Sequence, residues 1–417
     1  MTSSRLPRAT WLLIAGNAVS ALGTGLVLPL TLIYLHQVRG IALPEVGFLL
    51  AISGAVGLVA VPLAGVALDR FGARTVLIVV LAGQALADAG LAWAHSVATA
   101  LPVALALGAS LGPSFPALQT MLAGINPDPA AQQRAFAINF TGINAGIGVG
   151  GAIGAAVVDP ASPATFQVLF LANALSCLLF AALVAAQPNV RAAHRADLPR
   201  VGYGEVLRNR PLRMVLLAML ALAFTGYAAL DSGLPAYATV EARVSVRIVA
   251  LSITLNTAVI VASQLLMLRL VRRLRRSRAL SAIGLIWAVA WAIFGLSALP
   301  GAAGLRIACV LAFSGLFAVG ETFMAPTMGP LVNSLADDRV RGRANALASM
   351  AYSIAFVASP AICTGMIAAG LAAAWIGLLC AGCAGTVLVG VRLGRQLSRQ
   401  QDLVDEAELP SAEPAIA

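Results

Sequence analysis

Twelve stretches of this chain are apolar for long enough to cross a lipid bilayer, and no other feature narrows its possible folds so far. They fall at about residues 10–35, 46–68, 75–95, 98–124, 135–158, 164–186, 212–238, 247–270, 279–299, 303–328, 342–368 and 371–391. A hydrocarbon core about 30 Å thick takes about 20 helical residues, and a helix is the spanning structure that satisfies its own backbone hydrogen bonds. Composition agrees. Charged residues make up 11% of the chain, against about 25% in a soluble domain, and 60% of residues are hydrophobic. That much apolar surface cannot be hidden in one water-soluble core. The expectation is an all-α, multi-pass membrane protein whose outer surface meets the lipid bilayer.

The net charge of +10 does not mark a nucleic-acid binder, because the basic residues sit in short loops between the apolar runs and form no continuous basic face. Loops on the side of the N-terminus hold 23 Arg and the opposite loops hold four, Arg39, Arg243, Arg247 and Arg306, and there is no Lys. Basic residues accumulate in cytoplasmic loops, so both termini are expected in the cytoplasm and the chain in a cell inner membrane. Arg5 and Arg8 before a long apolar run resemble a signal peptide, but the run is of spanning length and reads as an uncleaved first span. The five Cys all lie within apolar stretches, which argues against a disulfide framework. Cys380 and Cys383 form a C-x-x-C pair one helical turn apart, read as small packing residues, and no metal or cofactor is expected.

The longest interior polar connection, Arg-rich, separates six spans from six. The expected organisation is a six-helix bundle at 1–186, a cytoplasmic linker at 187–211, a second bundle at 212–391, and a disordered acidic tail at 392–417. An internal repeat supports this division: Pro116 and Arg134 in spans 4 and 5 stand where Pro326 and Arg343 stand in spans 10 and 11. Two parallel repeats of this kind place a binding site between the halves near the bilayer midplane.

Between spans 2 and 3 the chain reads Gly65, Asp69, Arg70, Gly72 and Arg74 with the spacing G-x-x-x-D-R-x-G-x-R. This resembles the loop signature of the major facilitator superfamily. Gly65 is expected to let span 2 approach a neighbour, Gly72 to permit a tight turn, and Asp69 either to cap a helix N-terminus or to pair across the halves. In span 5, Gly146, Gly150 and Gly154 recur every four residues, a bare face suited to close packing. That segment is similar to one in the drug:proton antiporter branches, though Gly151 stands where Pro is usual. Gly320–Glu321, Pro326, Asn333 and the Arg341/Arg343 pair, with Tyr227 and Asp231 in span 7, resemble bacterial multidrug-efflux-like facilitators. The likeness runs over residues 10–391. Two departures stand out: Ala104 occupies the place of a usual Arg in span 4, and the loop at 269–278 lacks the Asp and Gly of a second signature.

Charge inside a span costs about 2.5–3.5 kcal/mol on insertion scales, so each intramembrane acid is a functional candidate. There are three: Asp88 in span 3, Asp231 in span 7 and Glu321 in span 10. None is matched by an Arg deep in a span, which argues against anionic substrates. A carboxyl group in an apolar cavity resists ionisation and can pass a proton between two openings. By depth Asp231 is the first choice for coupling. Asp88 either couples or bonds Gln84 or Ser110, and Glu321, read as near the cytoplasmic end of its span, is expected to pair with Arg339, Arg341 or Arg343. Polar residues expected to line the cavity are Asn17, Ser20, Gln119, Asn139, Asn144, Tyr227, Asn256 and Tyr352, each equally able to join helices.

The residues and the resemblance together imply a monomeric transporter and not an enzyme. It would exchange protons for a small neutral or cationic, partly apolar molecule, exporting it. Uptake on the same fold, or a non-transporting sensor, are the alternatives.

Overall fold

The structure, a computed structural model, describes residues 6–190, 203–272, 274–336, 341–398 and 402. Most of the linker expected at 187–211 and most of the tail expected at 392–417 therefore lie outside the described residues. Among the described residues, twelve helices are long and apolar enough to span a membrane: Arg8–Val38, Leu43–Phe71, Ala73–Leu91, Val97–Ile125, Ala131–Val157, Pro163–Ala185, Arg210–Val240, Val246–Ser263, Arg276–Leu296, Ala303–Leu335, Arg343–Ala368 and Ala372–Gly394. These are spans 1 to 12, numbered in chain order. An even number of crossings leaves both described ends on one side, called here the terminal side.

Turn and cap chemistry sets the ends. Asp128 caps span 5 by accepting from Ala131 N at 2.9 Å, and Ser96 and Thr99 bond reciprocally at the start of span 4. Gly72, at φ 83°, makes the turn between spans 2 and 3 that other residues rarely adopt.

In the first half, span 1 packs against spans 5 and 6, and span 4 against spans 2 and 3. The glycine face of span 5 lies on span 1: a Cβ on Gly150 or Gly154 would press on the backbone of Leu22 or Leu26, and one on Gly146 on Ala18 and Leu22. Lipid offers no hydrophobic drive between helices, so contact this close is where van der Waals attraction holds them. In the second half, span 9 packs against spans 10 and 12 around Trp287, Trp291, Phe294, Phe313 and Phe317. Trp287 stacks on Phe317 with ring centroids 4.5 Å apart and donates its indole N–H to Phe317 O at 3.0 Å.

The halves meet along span 2 with span 11 and span 5 with span 8. Contacts concentrate away from the terminal side. Gly47 lies against Pro360 and Thr364, Gly54 against Phe356, Gly148 against Thr257, and Arg247 donates to Val158 O at 3.3 Å. Towards the terminal side the surfaces part: Val59, Val61, Leu63 and Val66 of span 2 are exposed, as are Met350 and Ile354 of span 11. The cleft opens to the terminal side.

Three spans depart from regular helix, and none of the departures was anticipated. Span 1 is interrupted at Leu28 and Pro29 and is π-helical over Tyr34–Val38. Span 7 is π-helical over Ala223–Gly233, where Trp291 Nε1 donates to Thr225 O at 2.6 Å and so inserts into the backbone ladder. Span 10 breaks at Phe323, between helices Ala303–Thr322 and Met324–Leu335, because Pro326 has no N–H to offer the carbonyl of Thr322.

The tail expectation needs correction where its residues are described. Helix continues to Gly394, Leu393 is buried, and Asp402 is buried against the start of span 9, accepting from Ser277 N and Ser277 Oγ at 2.8 Å each. Those bonds satisfy a helix N-terminus that no nearby side chain caps.

Candidate functional site

The irregular stretches of spans 7 and 10 bring polar side chains together inside an apolar bundle. Glu321 stands two residues before the break in span 10, in the nineteenth position of a 33-residue span and so near mid-membrane. This corrects the expectation of a terminal-side position, which came from ending span 10 at 328. Asn256 of span 8 donates to Glu321 Oε2 at 3.4 Å, and the Tyr227 hydroxyl from span 7 is its second hydrogen-bonding partner. Tyr227 sits with ring centroids 6.0 Å from Tyr352 of span 11 and 6.2 Å, edge-on, from Trp287 of span 9. Spans 7 and 8 thus meet the carboxyl group of span 10 through neutral partners, with rings from spans 9 and 11 packed on Tyr227. Of the Arg residues expected to pair with Glu321, Arg339 lies outside the described residues and only the backbone of Arg341 is described.

Asp231 lies one helical turn beyond Tyr227 in the π-helical segment, and among the described residues it has no hydrogen-bond or ion-pair partner. A carboxyl group kept without a partner at this depth is costly unless water, a proton or a ligand meets it.

Asp88 belongs elsewhere. It is 3% exposed and accepts from Asn173 Nδ2 of span 6 at 2.8 Å, so its partner is neither Gln84 nor Ser110. Asn173 and Ser176 fill the space left by Gly23 of span 1. This cluster joins spans 1, 3 and 6 inside the first half, away from the cleft. Ser20 faces the same way, 3.8 Å from Cys177 Sγ.

The remaining polar candidates divide between the cleft and local bonds. Asn17 Nδ2 donates to Asn139 Oδ1 at 2.9 Å, joining spans 1 and 5. Asn144 donates back to Phe140 O one turn earlier. Gln119 and Asn139 line a cavity with Phe115, Phe136, Phe140 and Ile143. Those four apolar residues were missed at sequence level. For Phe136, Phe140 and Ile143 a signal was present in the spacing 136, 139, 140 and 143, one helical face that mixes an amide with aromatic rings.

The loop signature is held within the first half. Arg74 N donates to Asn189 Oδ1 at 3.1 Å, Arg74 Nη1 to Gln187 O at 3.1 Å, and Asn189 Nδ2 to Phe71 O at 2.9 Å, fastening the turn at Gly72 to the end of span 6. Asp69 and Arg70 are exposed, the Arg70 guanidinium lying 5.2 Å from the Phe71 ring centroid. Asp69 does not cap span 3, whose N-cap position is Gly72 with no side-chain bond. Gly65 has no neighbour within 4 Å of where a Cβ would stand, so the close approach expected of it is made instead by Gly47 and Gly54, nearer the other end of span 2. Arg343 is half-buried at the start of span 11. No group of three or more His, Cys, Asp or Glu side chains suited to a metal ion occurs among the described residues.

Comparison with known proteins gives a consistent family. The model of the Major Facilitator Superfamily matches residues 13–360. A curated relative, the uncharacterized MFS-type transporter YttB of Bacillus subtilis (strain 168), is 24% identical over 337 residues, covering 79% of this chain and 81% of that protein. Among solved structures, a D-xylose-proton symporter superposes with a TM-score of 0.72 at 16% identity, covering 94% of this chain and 98% of that one. The nucleoside transporter NupG gives the same TM-score at 12% identity, with coverage of 94% and 100%. At these identities the structural likeness speaks for the fold alone.

Proposed function

The chain belongs to the Major Facilitator Superfamily and is thus a multi-pass secondary transporter of small molecules, and from that premise we propose that it exchanges protons for a neutral or cationic, partly apolar compound and exports it. The observation that carries this reading is Glu321: a carboxyl group near mid-membrane, at the interruption of span 10, held by the neutral Asn256 and Tyr227. Broken helices at the midplane are where transporters of this kind place their sites, because the freed backbone and any polar side chain there face a cavity and not lipid. A carboxyl group with neutral partners can bind and release a proton without first breaking an ion pair. Asp231, without a partner one turn from Tyr227, is the second acid and suits recognition of a cation.

The way the halves meet supports alternating access. The spans 2–11 and 5–8 contacts close one end of the cleft. Rocking about the Glu321 layer would close the terminal side and open the other. The Arg asymmetry supports placing the terminal side in the cytoplasm and the protein in a cell inner membrane.

The test is transport by the purified protein in proteoliposomes under an imposed proton gradient, with a panel of lipophilic cations. Moving one charge through 100 mV supplies about 2.3 kcal/mol, about fiftyfold in accumulation ratio. Glu321→Gln should lose accumulation of that order while still letting substrate equilibrate. Parent-like accumulation by Glu321→Gln would overturn the coupling role. Reversing the gradient separates export from uptake.

A further inference from the structure

Spans 9 and 12 run antiparallel and pack closely: Gly394 lies against Ser277, Gly390 against Ser281, and, deeper in, Gly284 against Cys383. Counting about 100° per residue from those contacts, Arg278, Leu285 and Val289 point about 70–110° round span 9, and Val391, Arg395 and Leu388 about 70–130° round span 12. Rotation in the same sense on antiparallel helices brings both sets to one side of the pair. All six residues are exposed. The opposite side of the pair faces spans 7 and 10, where Gly382 meets Thr225 and Trp287 stacks on Phe317. The six residues therefore line a groove on the outer surface of the second half, turned away from the cleft between the halves.

The groove is basic at its terminal-side end and apolar below it. Arg278 follows Ser277 and Arg395 follows Gly394, two residues that touch, so both arginines stand at one level, where span 9 begins and span 12 ends. At 1.5 Å per residue, Val391 and Leu388 lie about 6–11 Å deeper and Leu285 and Val289 about 10–17 Å deeper. Neither arginine side chain has a hydrogen-bond or ion-pair partner among the described residues. The carboxylate of Asp402 is engaged in capping span 9 through Ser277. The first half shows the same position satisfied from within: Arg74 of span 3 donates to Gln187 O beyond span 6, and no Arg follows span 6 before residue 191.

We infer that this groove holds an anionic phospholipid of the terminal-side leaflet: Arg278 and Arg395 take its phosphate, and an acyl chain lies along Leu285, Val289, Leu388 and Val391. Guanidinium groups match phosphate oxygens bidentately, and at a membrane boundary their long stems stay on apolar surface while the charge reaches headgroup level. A soluble anion fits less well, because four of the six groove residues are apolar and offer it nothing. A zwitterionic lipid covers the apolar wall equally but brings its own positive charge to two unmatched guanidinium groups. The assignment does not rest on the transport reading, since the groove belongs to one half and lies outside the cleft.

The experiment is native mass spectrometry of the purified full-length protein in detergent, mixed with equal amounts of dioleoylphosphatidylglycerol and dioleoylphosphatidylcholine. The two lipids share their acyl chains and differ in headgroup charge. The parent should retain the anionic lipid about tenfold over the zwitterionic one, and Arg278→Gln and Arg395→Gln should each lower that ratio about fivefold, the effect of one Arg near an anionic surface. Both positions are exposed, and either variant suffices if the other does not elute as a single species. Arg70→Gln removes the same charge from an exposed position in the first half and should leave the ratio within about twofold. Equal retention of the two lipids by the parent, or the same loss in Arg70→Gln as in the groove variants, would overturn the site. Glycerol phosphate, which has the charge without the chains, should not displace the bound lipid at about 1 mM. Displacement would assign the groove to a soluble anion and overturn the lipid.

Discussion

Three intramembrane acids look alike in the sequence, and their surroundings give them different work. Asp88 is bonded to Asn173 in a cluster that ties spans 1, 3 and 6 within one half, whereas Glu321 bonds groups from spans 7 and 8 and Asp231 meets none among the described residues. Asp88→Asn keeps a hydrogen-bonding amide in place of the carboxylate and should therefore leave gradient-driven accumulation within about twofold of the parent, since such a pair is worth only about 0.6 kcal/mol on average in a membrane protein. Loss of the gradient response in that variant would place Asp88 in the coupling path. Depth counted along a helix could not sort these residues. Asn173 lies 85 positions from Asp88 in the chain, and Asn256 lies 65 from Glu321, so no local pattern records either pairing. The residue types were legible, because charge and amides are rare in apolar runs. Of the four apolar members of the pocket, Phe136, Phe140 and Ile143 could be read only from the helical face they share with Asn139, and Phe115 not at all, because in a membrane helix a Phe facing a cavity and a Phe facing lipid contribute equally to hydropathy.

At the scale of elements, the number and order of spans could be read directly, since bilayer thickness fixes helix length. Their irregularities could not. The π-helical run in span 7 depends on an indole arriving from span 9, and the end of span 10 lay hidden because Pro326 breaks the helix without ending the crossing. The span 5 glycine face was legible as a packing surface, but its partner, span 1, came only with the structure. Gly150→Val would force a side chain onto the backbone of Leu22 and Leu26, an overpacking cost of about 1–3 kcal/mol. The expected result is a clear loss of the monodisperse fraction on size-exclusion chromatography, with Gly65→Val, where nothing lies within 4 Å, behaving like the parent. Asp402 makes a different kind of contact, capping span 9 from beyond span 12 with two hydrogen bonds to Ser277. Asp402→Ala should cost about 1 kcal/mol, read as a Tm lower by about 2–4 °C. An unchanged Tm would mean that the cap adds nothing to the second half.

The two halves of the described fold touch at one end of a cleft, and the proposed transport cycle exchanges which end is closed. The described contacts favour the present state: Gly47 and Gly54 fit against span 11, and Gly148 against span 8, while the terminal-side signature residues Asp69 and Arg70 stand exposed. In the proposed cycle, closure of the terminal side would bring those charges towards the start of span 11, which carries Arg343. The direct test is a pair of distance measurements between spin labels on the protein in lipid, one across the terminal side at Arg70 and Ala346, the other across the far side at Glu45 and Ala369, all four exposed positions. Under a proton gradient with a transported cation present, the first distance should gain a shorter population as the second gains a longer one, in equal proportion. Two distances that stay fixed, or that lengthen together, would contradict rocking about the Glu321 layer.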